Sequence, residues 1–145
     1  MIITREKFPT HEQRPDFKPL WDEHGIEVRG EPLALDFRRY TKIEVEGRLI
    51  CIVARDNDRP VGYSWHYWYQ SLHFDERIGH DDLWYVNPAY RGDGIGQRLR
   101  MIGVATLKDA GAVTTSDFIR RAGTHPTLMT QLGYEAHGTW WRKTL

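Results

Sequence analysis

Gly92, Gly94 and Gly96 alternate directly after the β-rich run Trp84-Tyr85-Val86 and directly before a helix-forming run. Residues without a Cβ let the chain approach a ligand closely. The first amides of a helix point at whatever lies before it, with the positive end of the helix dipole behind them. That combination suits an anion such as a diphosphate. One helix terminus contributes about 0.3–2 kcal/mol, so several amides must act together. Two phosphate motifs are excluded. A Walker loop needs Gly-Lys followed by Ser or Thr, which occurs nowhere in the chain. A dinucleotide fingerprint needs a third glycine three residues after the second, and the two registers land on Gln97 and Leu99. What remains is Arg91-Gly92-Asp93-Gly94-Ile95-Gly96, an R-x-x-G-x-G run preceded by Val86-x-Pro88.

Further candidates are more scattered. Tyr63, Trp65, Tyr67 and Tyr69 alternate with Ser64, His66 and Trp68, so a strand here carries aromatic residues on both faces. Trp65, Tyr67 and, later, Trp84 could line a flat or partly apolar acceptor pocket, although alternating aromatics more often build a core. Asp22, Glu23, Glu27 and Glu31 could attract a cation or form a solvated charged segment. His66, His73 and His80 recur at intervals of seven, but they fall on different strands and turns, and no compact ligand set such as HExxH accompanies them. No metal is expected. Cys51 sits in an apolar run and reads as a buried thiol.

The elements that must position these residues alternate along the chain. A short β-rich piece over Met1–Phe8 precedes a helix capped by Thr10, running through Phe17, Leu20 and Trp21 to His24 and ended by Gly25. Apolar residues at helical spacing from Leu33 to Ile43 predict a second helix before Gly47. Leu49–Arg55, a turn over Asp56–Pro60 and Val61–Gln70 read as a hairpin. A strand over Asp82–Val86 is stopped by Pro88, a helix from about Gly94 to Ala110 is closed by Gly111, and a strand covers Val113–Ile119. A short helix over Pro126–Leu132 and one or two strands within Tyr134–Leu145 complete a mixed α/β order.

At 145 residues and 40% hydrophobic content the chain reads as one domain, 1–145, large enough to close a core. Twenty basic residues balance twenty acidic ones, so no general attraction to nucleic acid or anionic lipid is expected. The longest apolar run, Leu49–Ala54, is far below the roughly 20 residues of a membrane helix. With no signal-like start and a single cysteine, a soluble cytoplasmic protein is expected.

Val86, Pro88, Arg91, Gly94 and Gly96, with Val61-Gly62-Tyr63 on an earlier strand and Gly133-Tyr134 late in the chain, resemble the GNAT superfamily of N-acetyltransferases. The spacing from Leu72-His73-Phe74 to the loop is also similar to small acetyltransferase-like proteins of tailed bacteriophages. The resemblance implies a GNAT-like acyl-CoA N-acyltransferase fold: a twisted mixed sheet of six to seven strands with about four helices, splayed to admit the pantetheine arm. It implies acetyl-CoA as co-substrate. Tyr85 and Val86 would engage the thioester arm, and Arg91, Gly92, Asp93, Gly94, Ile95, Gly96, Gln97 and Arg98 would hold the diphosphate. Asp93 departs from the pattern, where a basic residue is common; Arg91, Arg98 and Arg100 are the cations available to offset it.

The chemistry implied is direct attack of a primary amine on the thioester in a ternary complex. A lysine-like amine is neutral about once in 10³ at pH 7, a cost of roughly 4–5 kcal/mol that a general base offsets in part. The resemblance places that base on the strand before the loop, at His80 or Asp82. A backbone N–H near Val86 would stabilise the oxyanion. The family's phenolic proton donor falls on Met129, which cannot donate, leaving Tyr85, Tyr90 or water. The acceptor class is a small-molecule or peptide amine, and a homodimer is compatible with the reading. The alternative is a weak or inactive GNAT-fold module that binds CoA or a protein.

Overall fold

A computed structural model describes residues 1–116 and 126–136. Strand β1 (Ile2–Glu6) leads to helices α1 (Arg14–Arg29) and α2 (Phe37–Val45). Strands β2 (Leu49–Asp56), β3 (Arg59–Gln70) and β4 (Arg77–Val86) follow. A 3-10 turn over Pro88–Tyr90 joins β4 to α3 (Ile95–Asp109), which is followed by β5 (Ala112–Ser116) and α4 (Pro126–Gln131). The described residues form one five-stranded sheet in the order β1-β2-β3-β4-β5, antiparallel up to β4 and parallel between β4 and β5. Five strands is fewer than the six to seven expected. The sequence puts the further strands within Tyr134–Leu145, of which 137–145 lie outside the described residues and 134–136 form no strand.

The hairpin arises from its turn. Asn57 and Asp58 both adopt positive φ, the conformation of a two-residue turn whose twist matches the paired strands. Helix α1 runs past the expected stop at Gly25. Gly30 ends it instead, with a left-handed φ of 81° and its N–H on Ile26 O. Gly25 is needed for another reason: the returning α1–α2 loop packs so closely that a Cβ would lie 2.3 Å from Leu33 N. Helix α2 starts later than its apolar spacing suggests, at the cap where Asp36 accepts from Arg39 N–H at 3.0 Å.

Leu49–Ala54 is buried throughout because helices cover both faces of the sheet. On one face Phe8, Phe17, Trp21, Cys51, Tyr63, Trp65 and Tyr85 pack with α1 and α2; on the other Ile50, Ile52, Val61, Val86, Leu99 and Leu107 pack under α3. The alternation read for β3 holds: Tyr63, Trp65 and Tyr67 face the α1–α2 side, Ser64 and His66 the α3 side.

Strand β4 begins at Arg77, earlier than expected, so His80 is a strand residue. Its pairing with β3 steps from Trp65–Leu83 to His66–Asp81, leaving Asp82 as the extra residue of a β-bulge. Asp82 and Leu83 therefore both face α1 and α2, and the alternation changes phase for the rest of the strand. Pairing of β4 with β5 covers Arg77–His80 among the described residues.

Helix α3 approaches the sheet closely at Gly103, where a Cβ would lie 1.9 Å from His66 Nε2. Gly103→Ala should lower stability by about 1–3 kcal/mol in urea unfolding, because overpacking outweighs the roughly 1 kcal/mol that alanine gains in a helix. A stabilised variant would refute this packing.

Candidate functional site

The glycine turn is built as its spacing predicts. Asn87 begins the 3-10 turn by accepting from Ala89 N–H, and Gly92 and Gly94 take φ values of 105° and 70°. Gly94 is the N-cap of α3, which has no side-chain cap. Arg98 N–H bonds to Gly94 O at 3.0 Å, so the preceding amides of Ile95, Gly96 and Gln97 are those a helix leaves for an outside acceptor. Gly96 serves close packing, its Cβ position lying 3.1 Å from Trp84 Cζ2, while Trp84 Nε1 donates to Gly96 O at 3.0 Å. Ile95 points its side chain into the core; Gly92, Asp93, Gln97 and Arg98 are exposed.

Arg91 is braced rather than free. Its Nε donates to Val86 O at 2.8 Å, its NH2 pairs with Glu27 at 2.6 Å, and its guanidinium lies 5.2 Å from the Tyr85 ring centre. The cation expected to meet the diphosphate thus ties the end of β4 to α1. The other carboxylates of the expected acidic cluster have partners as well: Glu23 accepts from Asn87 Nδ2 and Asp22 pairs with Lys18, both on α1, and Glu31, beyond its end, lies near Arg29. Each of these carboxylates has a cationic or amide partner beside it.

Tyr85 is buried on the α1 side, its ring stacked on His24 at 4.8 Å. Burial, and then the Glu27 charge, push its phenol up to about 12. His24 lies 2.6 Å through Nδ1 from Tyr63 OH, and burial lowers its pKa to about 4. Cys51 is enclosed, and burial pushes its thiol up.

His80 and Asp82 occupy the same face of β4. His80 packs 5.0 Å from the Tyr67 ring, with Nδ1 3.4 Å from Ser116 Oγ at the last described β4–β5 pair. Asp82 is half-buried and accepts a hydrogen bond from Tyr40 OH. The three aromatics proposed for the acceptor are separated. Trp65 is fully enclosed by Phe8, Trp21, Tyr40 and Tyr63, so it belongs to the core. Trp84 lies on the opposite face, 4.8 Å from Arg100, because the bulge shifts the alternation before it. Tyr67 remains half-buried beside His80.

Asp81, between the two proposed bases, faces α3. Its Oδ1 lies 2.5 Å from His66 Nδ1 and accepts from Thr115 Oγ1; its Oδ2 accepts from Arg100 NH2 at 2.9 Å and from Tyr134 OH. Burial raises the carboxyl, but the bonds and charges of His66, Arg100 and Tyr134 outweigh it and hold Asp81 below the usual carboxylate range. Ser64 Oγ stands 2.6 Å from His66 Nε2, giving the Ser-His-Asp order of a nucleophilic triad. Ser64 and His66 are each 1% exposed beneath Gly103, so the network is structural. Among the described residues no group of three or more His, Cys, Asp or Glu could hold a metal, and no helix is long and apolar enough to cross a membrane.

The sequence model of the Acetyltransferase (GNAT) family matches residues 9–120, and the chain belongs to that family. Among curated proteins none matches the sequence. The fold is similar to ribosomal-protein-alanine N-acetyltransferase from Brucella melitensis biovar Abortus 2308, at TM-score 0.73 and 17% identity over 100% of both chains. It is similar to glucosamine-6-phosphate N-acetyltransferase from Arabidopsis thaliana, at 0.76 and 15% over 99% of both chains. A transcriptional regulator from Bacillus halodurans C-125 shares the fold at 0.78 and 18%, over 99% of this chain and 100% of that one. The family and the shared fold support an acetyltransferase.

His24 sets a pH dependence. Its folded pKa of about 4 lies below the unfolded 6.5, so its contribution is intact above pH 6.5, falls as pH drops and is lost below about 4. Relative to His24→Gln, the native chain should lose about 2 kcal/mol between pH 7.5 and pH 5 in urea titrations. Parallel losses in both proteins would show that His24 is not the group.

Proposed function

We propose that the chain is an acetyl-CoA-dependent N-acetyltransferase, one domain over 1–145 acting in the cytoplasm on a primary amine of a small molecule or protein. The observation that carries this reading is the preset turn before α3, with the amides of Ile95, Gly96 and Gln97 aimed out of the helix end and Gly94 in the left-handed region. These amides, with those of Gly92 and Asp93, would hold the diphosphate, and Arg98 would offset the exposed Asp93. Arg91 would act mainly as the brace of the turn. The backbone of Tyr85 and Val86 would engage the thioester arm, and an N–H near Val86 would stabilise the oxyanion. The co-substrate supplies the acetyl thioester; no metal enters the proposal.

Asp82 is our choice as general base, taking the proton of the acceptor ammonium directly or through water, because a phenol fixes its carboxylate at the bulge. His80, on the same face, is the second candidate. Met129 is buried and has no proton to give, and Tyr85 is turned toward α1, so water is the proposed donor to the departing thiolate. An amine acceptor is supported by the substrates named for similar folds: a ribosomal-protein alanine, glucosamine 6-phosphate and, in a metagenomic enzyme bound to sisomicin, an aminoglycoside.

Thiol release from acetyl-CoA should depend on one of a panel of amino sugars, aminoglycosides and peptide N-termini. Gly94→Val should weaken CoA binding at least about tenfold by calorimetry, since a β-branched residue resists the left-handed region. Unchanged affinity would remove the loop reading. Tight CoA binding with no acceptor-dependent release would favour a binding module.

A further inference from the structure

We propose that Tyr40, on α2, is a positioning residue that fixes the Asp82 carboxylate for proton abstraction from the acceptor amine. This rests on the reading of Asp82 as the base.

Asp82 is the residue that β3–β4 pairing passes over, so a regular ladder does not define its direction. Its described hydrogen-bond partner is Tyr40 OH, which donates to Oδ2. Among the described residues none bonds Oδ1, the oxygen assigned to the acceptor.

Tyr40 itself cannot swing. Its ring stacks on Phe8 at 5.1 Å and 17°, and meets Trp65 edge-on at 5.2 Å. Trp65 is in turn gripped by Trp21 and Tyr63. Burial and then the Asp82 charge push the phenol far above its ordinary pKa, so it keeps its proton and donates at any working pH. A rigid donor on one carboxylate oxygen limits rotation about the Cβ–Cγ bond, and orientation of this kind is what catalysis by a positioned base requires. The aromatic cluster of the α1–α2 face therefore has a task beyond packing: it carries the geometry of α2 to one carboxylate oxygen on β4.

The test is a double-mutant cycle on the intact chain with acetyl-CoA and the best acceptor of the panel, rates being normalised to CoA-binding sites titrated by calorimetry so that misfolded protein does not count. Asp82→Asn should lower kcat by about 100-fold or more, and Tyr40→Phe, which keeps the ring and its packing, by about tenfold, with KM for acetyl-CoA within about twofold in both. If Tyr40 acts through Asp82, the double variant should be no slower than Asp82→Asn alone, within about twofold. Multiplied losses, or a Tyr40→Phe enzyme with the native kcat, would overturn the inference while leaving Asp82 as base. A native kcat in Asp82→Asn would overturn the base reading and this inference with it.

Discussion

Asp81 is a carboxylate held out of water where β4 and β5 cease their described pairing, and a charge so placed is costly unless its surroundings replace the lost hydration. Here they do: His66 from β3, Thr115 from β5, Arg100 from α3 and Tyr134 after α4 all direct hydrogens at its two oxygens. One buried ion thus fastens β3, β4 and β5 to the helix that begins at the glycine turn. Arg100 continues the chain of contacts, lying against Trp84, whose indole N–H holds Gly96 O in the first turn of α3. The aim of the helix amides therefore depends on a charge several residues away.

Strand alternation turns the adjacent aspartates to opposite faces, and the bulge then shifts the residues that follow. Asp81 points toward α3 and is consumed in the framework; Asp82 points the other way, half-buried, with one oxygen tied to Tyr40. His80 shares the side of Asp82. Without the extra residue Asp82 and Trp84 would share a face, and the indole would leave Gly96. The irregularity thus separates the proposed base from the indole that packs the anion-binding turn.

Much of this was legible in the chain because local chemistry determines it. Alternate glycines after a β-rich run and before a helix specify the turn at Gly92–Gly96, and the polar run Asp56–Pro60 between apolar runs specifies the hairpin, whose strands pair up to Asp56–Arg59 and leave only Asn57-Asp58 as the turn. The alternation of β3 placed His66 opposite Trp65, as found. The ladder slip at Asp82 leaves no local mark, so nothing in the sequence separates Trp84 from Trp65 and Tyr67. The Asp81–His66–Arg100 network joins residues distant in sequence, and nothing local indicates that a charged residue will be enclosed. A histidine opposite an aspartate on paired strands, with a glycine in the covering helix, is the pattern that could have revealed it. Gly25 misled for a similar reason: its role is to admit a neighbouring loop, which only the tertiary arrangement supplies.

Cys51 lies within β2, 1% exposed, with its thiol held protonated by burial. Chromogenic disulfide reagents attack thiolates that they can reach, and this sulfur offers neither charge nor access while the chain is folded. The native protein should accordingly be spectroscopically silent toward them, leaving the coenzyme's sulfur as the reporter. A slow colour in its absence would count molecules that have opened their core.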